Sequence, residues 1–137
     1  FGVDAKICRF YNVYGPHQLT EGEYCTVIGV FERQYANTEL LTITGDGFQR
    51  RDFTHIDDIV NGLILTSQSE EFDLDIVELG RGENHSINEL ADMFGKDYPR
   101  EYIDERPGEA RETLCKGTIL SPDNKALENY IKSVISE

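Results

Sequence analysis

The chain has 137 residues, 39% hydrophobic and 28% charged, which suits one soluble, globular domain built round a single core and argues against a disordered chain. Its 13 basic and 26 acidic residues leave a net charge of −13, which repels phosphate backbones and argues against nucleic acid as a partner. No apolar run approaches the ~20 residues of a membrane span and no basic-then-apolar leader opens the chain, so no membrane partner and a cytoplasmic setting are expected. Cys8, Cys25 and Cys115 lie far apart without a CxxC spacing, and His17, His55 and His85 are equally scattered. Neither a disulfide framework nor a metal site is expected. Phe1 is not an initiator and opens almost inside an apolar strand, the pattern of a truncated frame or an excised piece.

In chain order, residues 4–11 (DAKICRFY) read as a buried strand, and NVYGPH after them as a turn. Thr20-x-x-Glu23 has the form of a capping box, and Tyr24, Ile28, Phe31 and Tyr35 recur at helical spacing behind it, predicting a helix over 22–36. Residues 40–44 (LLTIT) form a short strand that ends in the two-glycine turn Gly45-Asp46-Gly47, and residues 51–56 form a second. Asp57 is the expected N-cap of a helix carrying Ile59, Val60, Leu63 and Ile64 to about Ser67. The acidic run at 69–73 is a solvated loop, and Ile76–Leu79 is a strand stopped by Gly80 and Gly82. Ser86-x-x-Glu89 is a second capping box, opening a helix that ends at Gly95. Tyr102-Ile103 is a short strand, and Ser121 with Pro122 starts a closing helix bearing Leu127, Tyr130, Ile131 and Val134. Strands alternating with helices, with no repeat or linker, predict one α/β domain over 1–137.

Three segments carry a further signal: RFYNVYGP (residues 9–16), GDGFQRRDFTHIDD (45–58) and RPGEARET (106–113). In this order the chain resembles the second half of a nucleotide-sugar epimerase or dehydratase of the extended short-chain dehydrogenase/reductase superfamily. The resemblance covers roughly residues 1–112 and implies the substrate-binding half of a Rossmann-type enzyme. It further implies that Asn12 meets the substrate, that Tyr11 and Val13 touch the nicotinamide of NAD, and that Leu41, Thr42 and Ile43 hold a uracil-, guanine- or thymine-type base. Arg51 and Arg106 fall where the family has diphosphate contacts, and Glu109 where an acidic residue meets the ribose. Guanidinium forks suit diphosphate because they donate paired hydrogen bonds and keep their charge when desolvated. For Arg51 a structural ion pair with a local carboxylate is the other reading, and for Asn12 a turn cap. Structural strand-end roles are expected for Arg50, Asp52, His55, Asp57 and Asp58.

The family's Tyr-x-x-x-Lys base and GxxGxxG cradle are absent from this chain; in the family both precede the RFYNVYGP element. No catalytic residue is therefore expected here, and NAD is expected in the complete enzyme without tight binding by this chain alone. The tail TLCKGTILSPDNKALENYIKSV (113–134) departs from the family's usual DxSKAxxxLGW stretch. The expected function is the nucleotide-diphosphate-sugar binding portion of an epimerase or dehydratase, with a preference for epimerase. The alternatives are a stand-alone noncatalytic binding module, and a site completed in trans by a separate N-terminal chain. Loss of the N-terminal half would bare strands 4–11 and 76–79, so self-association through these strands is expected.

Overall fold

The computed structural model describes residue 2 and residues 5–69, 76–119 and 126–137. In chain order the elements are β1 (Ile7–Phe10), β2 (Val13–Tyr14), α1 (Val27–Ala36), β3 (Leu41–Thr44), β4 (Arg50–Arg51), β5 (Thr54–His55) and α2 (Ile56–Gln68). They continue as β6 (Ile76–Gly80), β7 (His85–Ser86), α3 (Ile87–Phe94), β8 (Arg100–Ile103), β9 (Thr118–Ile119) and α4 (Ala126–Ile135). A parallel sheet has the order β1-β6-β9, and the pairs β2-β5 and β3-β8 are also parallel; β4-β7 is antiparallel. Parallel strands joined through helices give the expected α/β class.

The main core forms where α1, α3 and α4 meet the inward face of β3. Alternation sends Leu41 and Ile43 into it, against Ile28 and Phe31 of α1, Leu90 and Phe94 of α3, and Leu127 and Ile131 of α4. The Phe31 and Phe94 rings meet edge to face, with centroids 5.8 Å apart. A smaller cluster of Ile59, Val77 and Leu79, with Cys8 and Val13 against it, sits between α2 and the β1-β6 sheet.

The capping box at α3 forms as read. Glu89 N donates to Ser86 Oγ at 3.0 Å and Ser86 N donates to Glu89 Oε2 at 2.8 Å. Burial opposes ionisation of Glu89, but the Ser86 amide and the Arg50 guanidinium outweigh it and hold its carboxyl below the usual range.

Two helix starts differ from expectation. The 22–36 helix begins only at Val27, and its N-cap is Thr26, whose side chain accepts from Gly29 N. Gly22 lies in the left-handed region (φ 97°), which a helix cannot use, and Tyr24 is 85% exposed in the loop. The loop instead folds back onto α1, with Leu19 O where a Gly29 Cβ would sit. A Gly29→Ala substitution would raise intrinsic helix propensity, yet the collision outweighs that gain. It is expected to cost about 2 kcal/mol, an overpacking penalty read as a lower urea midpoint.

The second helix start lies upstream of Asp57. His55 caps α2, its Nδ1 accepting from Asp57 N at 3.2 Å, while Asp57 and Asp58 occupy the first turn, where carboxylates suit the helix dipole. Along α2 only Ile59, Gly62 and Thr66 are buried; Val60, Leu63 and Ile64 are exposed instead of forming the expected core stripe. Ser121 and Pro122 lie outside the described residues, as does most of the 69–73 run. Among the described residues no helix is long and apolar enough to cross a membrane.

Candidate functional site

A cleft of about 230 Å³ opens beyond the carboxyl ends of the parallel strands. Asn12 follows β1, Thr44 ends β3 and Ile103 ends β8, and all three line it. The start of α1 supplies one wall through Cys25, Thr26, Val27 and Val30. Burial pushes the Cys25 thiol up, and the thiol donates to Leu19 O at 3.0 Å. Arg51, Arg106 and Glu109 complete the cleft, and Arg106 and Glu109 also line a second hollow of about 380 Å³ under the 105–111 loop.

Local pairing explains how that loop reaches Arg51. Residues 111–113 run beside β4, Arg50 N donating to Arg111 O at 2.9 Å and Thr113 N to Arg50 O at 3.0 Å. Arg111 clamps Asp46 with both nitrogens, at 2.8 and 2.9 Å, fixing the loop to the turn after β3. The Arg111 guanidinium, with the Phe48 amide, holds the Asp46 carboxyl below its ordinary range. The loop segment is thereby laid over β4, and Arg51 Nη2 donates to Glu109 Oε1 at 2.9 Å. Arg51 Nη1 donates to Arg50 O at 2.8 Å. Arg106 has no hydrogen-bonding or ion-pair partner for its guanidinium among the described residues. Two arginines against one glutamate make the cleft a cationic spot on an acidic chain.

Asp52 organises the surroundings. Fully buried, it accepts from Arg81 N at 3.0 Å, Gly82 N at 2.9 Å, Cys115 N at 3.0 Å and Thr54 Oγ1 at 3.1 Å. Its own amide donates to Thr113 Oγ1, which donates onward to Asn12 Oδ1 at 3.3 Å. Asp52 is thus a structural carboxylate tying three segments together, as read for a strand-end residue. Arg50 is structural too, donating to Asn84 Oδ1 at 2.7 Å and Asn84 O at 2.8 Å.

Of the residues singled out in the sequence, Asn12, Thr42, Arg51, Arg106 and Glu109 meet at this cleft. Leu41 and Ile43 do not: both are fully buried in the core, because side chains of a strand alternate and Thr42 and Thr44 take the cleft side. Two nearby amides are also engaged, Leu41 N donating to Pro99 O and Thr42 N to Gln34 Oε1. Tyr11 stands apart beside Gly80 and Cys115, and Val13 packs on the smaller core cluster. Sequence reasoning missed Gln49, the α1 wall and Thr113. Gln49 carried a faint signal, since it lies two residues before Arg51 in an extended segment.

An open set of parallel strands with an arginine-lined cleft beyond their carboxyl ends defines a partial Rossmann-type α/β unit suited to an anionic ligand. A model of the NAD dependent epimerase/dehydratase family matches residues 1–80, and the chain belongs to that family. UDP-glucuronate 4-epimerase of Thermodesulfobacterium geofontis is 33% identical over 82% of this chain and 35% of its own length. The dTDP-L-rhamnose 4-epimerase of Burkholderia thailandensis is 29% identical over 80% of this chain and 31% of its own. Among solved structures, UDP-N-acetylglucosamine 4-epimerase from Methanobrevibacter ruminantium, in complex with UDP-N-acetylmuramic acid, superposes with a TM-score of 0.82. It is 29% identical, covering 98% of this chain and 46% of that one. UDP-glucose 4-epimerase of Thermotoga maritima, with UDP-glucose, gives a TM-score of 0.79 at 26% identity, covering 96% of this chain and 44% of that one. The chain spans about a third of the length of these curated relatives.

Proposed function

We propose that this chain is the substrate-binding part of an NAD-dependent nucleotide-sugar epimerase or dehydratase, and that it grips the diphosphate between Arg51 and Arg106. The single observation that carries the reading is their common cleft with Asn12. Arg106 supports it further: a guanidinium without a partner among the described residues, on a chain with twice as many acidic as basic residues, has charge left over for an anion. In this reading Asn12, held by Thr113, meets the sugar side and Thr42 lines the base end. Glu109 steadies the Arg51 fork and faces the ribose. Leu41 and Ile43 anchor β3 from beneath. The epimerase outcome is preferred, since several curated relatives are named as epimerases. A cytoplasmic setting accompanies it.

Bound NAD would supply hydride transfer to and from the sugar. The residues here that could approach it are Tyr11 and Val13. Because Val13 is committed to packing, they form one edge of a cofactor site at most, and no chemical step is assigned to this chain. We therefore infer that it is inactive alone. Calorimetry with UDP-, GDP- and dTDP-sugars tests the reading: at least one is expected to bind saturably without NAD, and no binding by any would overturn it.

The proposed partner is the N-terminal, NAD-binding half. Supporting this, β1 lies at the sheet edge with Ile7 60% exposed, beside an α2 whose Leu65 is 61% exposed. An open edge flanked by apolar side chains recruits further strands. Without that half the chain is expected to self-associate through β1, sedimenting as dimers or larger species. Ile7→Lys with Leu65→Lys should restore the monomer. A wild-type chain that sediments as a monomer at tens of micromolar contradicts this.

A further inference from the structure

We propose that Gln49 is the residue that reads the nucleobase, its Oε1 accepting the ring N–H of a uracil, thymine or guanine; the inference rests on the diphosphate reading above. Gln49 is 6% exposed and lies at the junction of the two hollows, lining both. Its Nε2 donates to Thr44 O at 2.7 Å. That bond fixes the amide's orientation, since the flipped amide would set oxygen against oxygen. The remaining atom, Oε1, is buried without a hydrogen-bond partner among the described residues. A dried-out acceptor is unfavourable, and one in the wall of a binding cleft is an acceptor kept for a donor on the ligand.

The chain's geometry puts that acceptor at the right end. Residues 49 and 51 of an extended segment emerge on one side, about 7 Å apart, while Arg50 between them turns away to Asn84 and Glu89. A nucleotide with its phosphates at Arg51 therefore has room for its ribose before its base reaches Gln49 and the Thr42–Thr44 face. What Oε1 accepts must be a donor. Uracil and thymine offer N3–H, and guanine N1–H, each beside a ring carbonyl.

The test compares UDP with 3-methyl-UDP, and GDP with 1-methyl-GDP, by calorimetry on the wild-type chain and on Gln49→Met, a substitution of similar size. For the pair whose parent nucleotide binds, the wild type is expected to lose at least tenfold in affinity on methylation. Gln49→Met is expected to bind the methylated and parent nucleotides alike, at the weakened level. Indifference of the wild type to methylation overturns the assignment, and that arm needs no variant. Discrimination that persists in a folded Gln49→Met also overturns it, assigning the N–H to another group. If neither UDP nor GDP binds the wild type, the diphosphate reading fails and this inference with it. If they bind but methylation is silent, only the role of Gln49 is lost.

Discussion

Replacing both Arg51 and Arg106 with methionine is expected to abolish measurable binding of UDP-sugars. Hydrogen bonds from a charged donor contribute about 1.5–3 kcal/mol each, so either single substitution should weaken binding by roughly 10- to 100-fold and the pair by roughly 100- to 10,000-fold. The two singles differ in their side effects. Arg106 is exposed and has no side-chain partner among the described residues, so Arg106→Met should leave the unfolding midpoint where it was. Arg51 is buried against Glu109, and its loss leaves a partly exposed carboxylate that water can solvate, at about 1 kcal/mol in stability. Calorimetry and urea unfolding of the same three variants separate the effects. Binding within threefold of wild type in the double variant would remove the diphosphate from this cleft.

Asp52→Ala is expected to lower the unfolding free energy by about 4 kcal/mol, a large share of a typical domain's stability. The substitution strips a common acceptor from the amides of Arg81, Gly82 and Cys115 and from the Thr54 hydroxyl, all but Gly82 in buried positions. Each orphaned donor carries its own desolvation penalty. Asp52→Asn fares little better, because its amide nitrogen would face either the Arg81 and Thr54 donors or the Gly82 and Cys115 amides. Urea unfolding with an unchanged slope would assign the loss to stability. A loss under about 1 kcal/mol would mean that the carboxylate does not hold these segments together. The effect should also reach the ligand, since Asp52 steadies Thr113 and Thr113 orients Asn12.

What the sequence made legible follows how local each signal is. The α3 capping box was readable because both partners lie within one turn. The meeting of Asn12, Arg51, Arg106 and Glu109 was readable only through motif order, as nothing in their spacing brings residues 12 and 109 together. The start of α1 was misread because Thr20 and Glu23 satisfy the local pattern, while a tertiary contact between Leu19 O and Gly29 decides the outcome. The apolar stripe of α2 was readable as amphipathic, but not which side would be covered. That depends on polypeptide the helix packs against, and here only Ile59 among its large apolar side chains is buried. Leu41 and Ile43 show the limit of motif reasoning, which gives a strand's position without saying which of its faces meets a ligand. Gln49 stayed hidden because an unpaired buried atom exists only once the fold has closed round it.

In the proposed function, one cleft of this chain binds the diphosphate of a nucleotide sugar with no help from an NAD-binding half. Amide and arginine side-chain resonances followed during titration with a UDP-, GDP- or dTDP-sugar test it most directly. Saturable shifts are expected at Asn12, Arg51, Arg106 and Glu109, with the separate hollow between α1 and α4 around Arg33 and Ser133 undisturbed. Saturable shifts centred on that other hollow, or no saturable shifts with any of the three nucleotides, would contradict it.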